Sequence, residues 1–321
     1  MSKRLIAVAL TVAVGALIPP AGIRAQQAPA AQPDVYLAPL LQPNRGPLTI
    51  GPLVNISNGP DYDNQPSFLP DSSAVLFSSK RDGKQNDIYR YDIATKALTQ
   101  LTHTPESEFS PLVTPDGKTF SVVRVEADGT QRLWRFDLDG TNPKLVIANT
   151  KQVAYYVWID PTHVAVYVLV ASDAPSTLQV VDTTTGASKV IDSDIGHTLL
   201  IDPKSHLLTY VKKKSNGNWA VEQSDPSSAD TYLVNWNIGA PETEDFAFVS
   251  DEMAFISHES RIWLSGLGVT KNPPPGPSFE FINFTATIAA DFTGGPVKNI
   301  TRLAVSPDGK WIAIVAEPVA K

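Results

Sequence analysis

The chain has 321 residues, of which 42% are hydrophobic, 18% charged and 8% aromatic, an ordinary globular balance able to bury a full core. Its net charge of −7 argues against nucleic acid or anionic lipid as partners and tolerates cationic ones. Cysteine is absent, which excludes disulfides, thiolate metal sites and a lipid anchor on an N-terminal Cys.

In chain order, the first segment reads as an export signal. Lys3 and Arg4 precede the apolar run from Leu5 to Ile18, Pro19-Pro20 breaks it, and Ala25 offers a small residue for cleavage. The run is too short for an ordinary membrane-spanning helix, and an uncleaved anchor is the alternative. The expected division is therefore a signal peptide over 1–25, a disordered leader over 26–33 and one folded domain over 34–321. Cleavage would remove Lys3, Arg4 and Arg24 and no acidic residue, leaving the mature chain more acidic still. The location expected is periplasmic or secreted, with no membrane span after cleavage.

A repeat then dominates the sequence. Pro70-Asp71 is followed by a strand-like run closing at Asp92, and Pro115-Asp116 is followed at the same interval by one closing at Asp137. Pro203 leads to Asp225 at that spacing, Pro161 to Asp182 at one residue less, and Pro307-Asp308-Gly309 is a fifth such turn. A turn–strand–strand–Asp unit recurring at a near-constant period is the pattern of propeller blades, each too thin to bury its own faces. Blade one has Gln65–Leu69, the apolar Ala74–Ser79, the alternating Asp87–Asp92 and the more polar Ala97–Leu101 as its strands. Blade two spans Glu108 to Ile147, blade three Ala154 to Ile191 and blade four Thr198 to Trp236.

Blade five is irregular. Its third strand is either Thr287–Asp291, after an insertion carrying Pro273-Pro274-Pro275-Gly276-Pro277, or Arg261–Leu264 with the insertion following it. The last repeat supplies only Leu303–Val305 and Trp311–Ala316 before the chain ends. Asp34–Leu40 and Gly51–Ser57 provide the missing pair, so the fold expected is all-β, a six-bladed β-propeller whose last blade takes strands from both termini. Such closure removes exposed sheet edges.

These residues resemble a known family. Pro66-Ser67-Phe68-Leu69-Pro70-Asp71, Ser110 to Lys118, Ser306 to Lys310 and the Asp-Ile-Tyr-Arg-Tyr-Asp strand at 87–92 are similar to the repeats of TolB-type (WD-like) propellers. The resemblance covers about residues 34 to 321 and implies a non-enzymatic protein- or ligand-binding scaffold of the cell envelope. The α/β domain that precedes the propeller in TolB is not expected here. Related propellers cap prolyl-oligopeptidase-type hydrolases, but no Gly-x-Ser-x-Gly nucleophile elbow occurs in this chain. A metal-dependent oligogalacturonate lyase has a related propeller, whose His cluster has no counterpart that can be mapped here.

Candidate functional residues gather where one blade passes to the next. Asp61 and Asp63 precede blade one, Glu106 and Glu108 blade two, Asp192 and Asp194 blade four, and Glu242, Glu244 and Asp245 blade five. Carboxylates around one channel mouth would focus a negative potential suited to a basic peptide, a cationic ligand or a hard cation such as Ca²⁺. Their competing reading is as solvated turn residues. Trp263, near the Pro-rich insertion, is a candidate for ligand stacking. No catalytic residue and no resident metal are assigned, and His103 and His197 lack ligand spacing. Lys212-Lys213-Lys214 reads as a solvated hairpin loop. The recurring Asp92, Asp137, Asp182, Asp225 and Asp291 read as structural, because chemistry needs one unique constellation. The expected protein is a monomer that binds an envelope protein, a basic peptide or a carbohydrate. The opposing expectation is a carbohydrate-active hydrolase or lyase using channel-mouth carboxylates as acid and base.

Overall fold

A computed structural model describes residues 32–42, 47–81, 83–170, 174–213, 219–227, 231–235, 243–266, 268–271 and 286–319, with backbone only for 231–235 and 268–271. The segment read as an export signal, the Pro-rich run at 273–277, Glu242 and Lys214 lie outside these residues. Among the described residues no helix is long and apolar enough to cross a membrane.

The described strands form six antiparallel sheets. Blade one is Asp63–Phe68, Ala74–Ser79, Asp87–Asp92 and Leu98–Gln100, and blade two is Ser107–Val113, Thr119–Val125, Gln131–Asp137 and Lys144–Leu145. Blade three is Val153–Trp158, His163–Val168, Thr177–Asp182 and Ser188–Ser193. Blade four opens with Ile195–Ile201, Leu208–Lys213, Trp219–Ser224 and Thr231–Asn235. In blade five, Phe246–Phe248 and Met253–His258 are followed by Arg261–Gly266 and then Thr287–Asp291.

That order settles the irregular blade. Arg261–Gly266 is its third strand and Thr287–Asp291 its fourth. The connection between them sends Gly268–Lys271 to the outer edge of blade four, where Val269 pairs with Val234. An edge that would otherwise present free N–H and C=O groups is thereby covered. Blade six is built as the sequence implied: Val297–Val305 and Trp311–Pro318 pair onward to Asp34–Leu41, with Val35 opposite Val315, and Val54–Asn55 closes the outside.

Packing follows from the period of two along each second strand. Val75 and Phe77 point into the seam with blade six, while Leu76 between them points to Phe120 and Val122 of blade two. Val123 then faces blade three, Ala165 faces blade four, Val211 faces Phe246 of blade five, and Phe255 faces Ile312 and Ile314 of blade six. Each seam thus holds one apolar cluster among the described residues. Both faces of the second strand are buried, which is why these runs lack polar alternation.

The Asp residues that close the third strands hold hairpins. Asp92 accepts the Thr95 amide, Asp182 those of Thr184 and Thr185, and Asp225 that of Ser227, whereas Asp291 closes a fourth strand and not a third, accepting the Thr293 amide there. Carboxylate-to-amide bonding of this type shapes a turn without any special residue at its centre.

Candidate functional site

In an antiparallel blade, the start of the first strand, the end of the second and the start of the third lie on one face. Acidic residues leading into a blade therefore meet whatever ends the second strand, and here that is basic. Lys80 lies 3.1 Å from Asp61, Arg124 lies 3.1 Å from Glu108 and 3.9 Å from Glu106, and Lys212 lies 2.6 Å from Asp192. Lys213 pairs with Glu244. Lys212 and Lys213 are thus the closing residues of a strand rather than a solvated loop, and the carboxylates do not stand as a free rim.

Two of them are not at the surface at all. Asp63 is fully buried, and the Gly59 amide donates to its Oδ2 at 3.1 Å. A Cβ at position 59 would lie 2.3 Å from that oxygen, so only glycine fits beside it. Burial pushes the Asp63 pKa up, against the pull of Ser79, Ser57 and Arg81. Glu108 is also fully buried, accepting from Thr102 at 3.1 Å and from Thr104. Burial outweighs Thr104 and Arg124 there, and Asp87 adds to it, so its pKa is pushed up to about 7. Asp194 is exposed, in the left-handed region at φ 51°, and its carbonyl accepts the Lys213 amide. Trp263 sits in the third strand of blade five between Ile256 and Ile288 and is not brought to these groups.

The functional cluster that the sequence left unread lies on the inner strands. Several of these are bulged. Register shifts occur between Asn64 and Ser67, between Phe109 and Leu112, and between Thr301 and Leu303. Gln65, Ser110 and Arg302 sit at these bulges with φ of 59°, 53° and 51°, each at the same offset before its turn proline. Repetition of a backbone state unusual for such residues marks a device that re-aims side chains. Gln65 uses it to tie blade one to blade two, its Oε1 accepting the Ser110 amide at 2.9 Å. Arg302 occupies the same repeat position in blade six. An arginine where other repeats carry Gln and Ser was the available signal.

Arg302 belongs to a polar chain around the channel. Its amide donates to Asp245 Oδ1 at 2.9 Å, and its Nη2 donates to the Tyr155 hydroxyl at 2.9 Å. His197 lies between two carboxylates, with Nε2 2.8 Å from Asp245 and Nδ1 2.6 Å from Glu244. Burial opposes charge on His197, but the bonds to Asp245 and Glu244 win and raise its pKa. Burial likewise pushes Glu244 up, yet His197 and Lys213 hold it down at about 2. The same contest leaves Asp245 below the usual carboxylate range, with His197 and Arg302 opposing its burial. Aromatic rings lie beside these groups: Tyr62, near Tyr155 and Arg302, meets Phe109 edge-on at 6.3 Å, and Tyr155 lies 5.4 Å from the His197 ring.

These groups border two cavities. One of about 160 Å³ lies on the inner strands, lined by Pro66, Ser110, Leu112, Tyr155, His197 and Arg302 among others. The second, of about 260 Å³, is bordered by His197, Glu244, Asp245, His258, Glu259 and Ile300. Among the described residues no group of three or more His, Asp or Glu is placed to hold a metal ion.

No family model matches the sequence. Solved structures do match it. TolB from Acinetobacter baumannii is 16% identical with a TM-score of 0.52, over 88% of this chain and 63% of that one, so the chain spans less than two thirds of that TolB. A TolB-type protein from Agrobacterium tumefaciens is 12% identical with a TM-score of 0.56, over 90% of this chain and 100% of that one. Enzymes share the architecture: a puromycin-hydrolyzing peptidase from Mycobacterium tuberculosis is 14% identical with a TM-score of 0.51, over 85% of this chain and 48% of that one. At such identities the likeness carries the fold and not the activity. The chain has the fold of the TolB-type six-bladed β-propellers.

Proposed function

We propose that this protein is an exported, non-enzymatic binding module of the cell envelope whose ligand enters the channel at the face bearing Tyr62, Phe109, Tyr155, His197 and Arg302. The observation that carries this reading is the convergence of side chains from separate blades on one small cavity, Tyr155 from blade three, His197 from blade four and Arg302 from blade six. Its volume of about 160 Å³ is below the roughly 300 Å³ at which pockets for whole small-molecule substrates begin, and suits a single side chain or chain end. An extended peptide inserting one residue fits such a channel.

The enzymatic alternative draws on Glu108, a carboxyl with a pKa of about 7 bridged through Thr102 to Asp87. That pairing resembles an acid–base couple in its titration but not in its access. Glu108 has no exposed surface, so no glycosidic oxygen can reach it. At the open mouth Glu244 and Asp245 are both held below the usual range, the opposite of a general acid. The binding reading is therefore preferred.

Selecting random hexapeptides on the immobilised full chain tests it. Enriched peptides are expected to bind wild type and to lose at least ten-fold on Tyr155→Ala, with the melting transition retained. Peptides that bind both proteins equally would place recognition elsewhere.

A further inference from the structure

One contact crosses the axis of the ring. The apolar seams join each blade to the next and blade six to blade one, so blades three and six stand opposite each other. Arg302 of blade six nevertheless reaches Tyr155 of blade three. Its Nη2 donates to the phenol oxygen, and the guanidinium carbon lies 4.9 Å from the ring centroid.

The rest of the side chain is fixed by Asp245, whose Oδ1 is 2.9 Å from the Arg302 amide and 3.4 Å from Nη1. The Nε–H, beside Nη2, is buried without a hydrogen-bond partner. Nε and Nη2 together form the edge that matches a carboxylate in bidentate fashion. Here one prong holds a neutral phenol and the other is empty. A buried charged donor left unmatched is unfavourable, so the residue is poised for a better acceptor.

The surroundings fit a carboxylate with an apolar neighbour. The nearby acidic groups are already engaged: Asp245 by His197 and Arg302, Glu244 by His197 and Lys213. The cavity that Arg302 borders has Pro66, Leu112 and Leu303 among its walls. An apolar cavity of about 150 Å³ accepts a benzene ring, so the space measured here takes one sizeable side chain.

We propose that the axial channel binds a carboxylate, gripped by Nε and Nη2 of Arg302 in place of the Tyr155 hydroxyl, with an adjoining apolar side chain against Pro66, Leu112 and Leu303. This deepens the binding-module reading and rests on it. A peptide C-terminus after an apolar residue has this chemistry. Tyr155 then acts as the displaceable cover of the site, holding the guanidinium across the channel until a charged acceptor arrives.

The test titrates the full chain at pH 7 with N-acetyl-leucine and with N-acetyl-leucinamide, which differ only in the carboxylate. The acid is expected to bind at least ten-fold more tightly than the amide. Arg302→Ala should erase that preference, and Arg302→Lys, which keeps the charge but not the fork, should lose most of it. Tyr155→Phe removes only the competing hydroxyl and should tighten the acid a few-fold, with a lower melting temperature in the free protein that the bound acid restores. Preference surviving in Arg302→Ala, or no binding of either probe, would overturn the proposal. Equal binding of acid and amide, with either displacing a selected hexapeptide, would remove the carboxylate and leave the binding module standing.

Discussion

The seams between blades are sealed in two ways. At the joins of blade six to one and of blade one to two, the residue entering the inner strand is acidic and buried, Asp63 in one case and Glu108 in the other. Each amide donates to the residue just before the preceding blade's third strand, Pro33 and Asn86 respectively. Each acid is part of the same motif. Asp34, Ser57 and Asp63 form one set, and Asp87, Thr102 and Glu108 the other, with Ser57 donating to Asp34 and Thr102 to both acids of its set. At the join of blade five to six the equivalent residue is Ile300, whose amide makes the matching bond to Glu259. Val153 and Ile195, which open blades three and four, are likewise apolar and buried. Apolar seams draw stability from burial alone and tolerate small shifts. A polar seam ties its stability to the geometry of its buried hydrogen bonds and so favours one arrangement. One polar seam borders the blade assembled from both termini and the other lies one join further on, while a buried carboxylate, Asp245, also leads into blade five.

The comparison is broken most severely by removing the closure itself. Deleting residues 34–55 takes two strands from blade six and is expected to abolish the cooperative thermal transition, where an unchanged melt would show the ring does not depend on it. Ile300→Asp puts a carboxylate into the apolar cluster that holds Val297 and Ile312. It should destabilise by about 3–5 kcal/mol in denaturant unfolding, the range for an uncompensated buried charge.

Glu108→Gln sharpens the contrast through pH. A carboxyl whose folded pKa is raised from 4.5 to about 7 stabilises the protein fully below 4.5 and loses that contribution as pH rises through 7. Wild type should therefore lose up to about 3 kcal/mol relative to the glutamine variant between pH 4.5 and pH 8, read from urea midpoints. Thr102→Val removes the hydroxyl that donates to Asp87 and Glu108 and accepts the Ile88 amide, with a loss of about 1–3 kcal/mol expected. Ser57→Ala should follow it with a similar sign.

The smallest effect is expected at the His197 clamp between blades four and five. Its raised pKa gives a contribution present below 6.5 and lost as pH climbs through the raised value. The lowered Glu244 gives one present above 4.5 and lost as pH falls through about 2. His197→Gln should thus reduce the melting temperature most between pH 4.5 and 6.5 and least above pH 8, whereas a pH-independent loss would reduce the clamp to packing.

Much of this architecture could be read before any coordinates. The turn prolines and strand-closing aspartates repeat because every blade needs the same hairpins, and hairpin chemistry is local. The pairing of Asp34–Leu41 with the C-terminal strand followed from counting the strands of an incomplete repeat. In blade five the choice between Arg261 and Thr287 for the third strand was not legible. Both segments are short, apolar and able to pair, and the decision rests on register with Met253–His258. The acidic residues at the blade joins were found as a class, but their state was not. Sequence shows that Asp63 and Glu108 enter a blade, and only the folded ring shows that Ser57 and Thr102 lie beside them and water does not.

The sequence by itself determined the repeat, the strand period and the joining of the two ends, since these arise from residues close along the chain or from a pattern that counts. Tertiary structure alone decided which carboxylates are buried, which are paired, and that Arg302 meets Tyr155. Those outcomes depend on distance across the ring, where residues 147 positions apart in sequence come within 2.9 Å, and on desolvation, which a side chain acquires only from the neighbours packed around it.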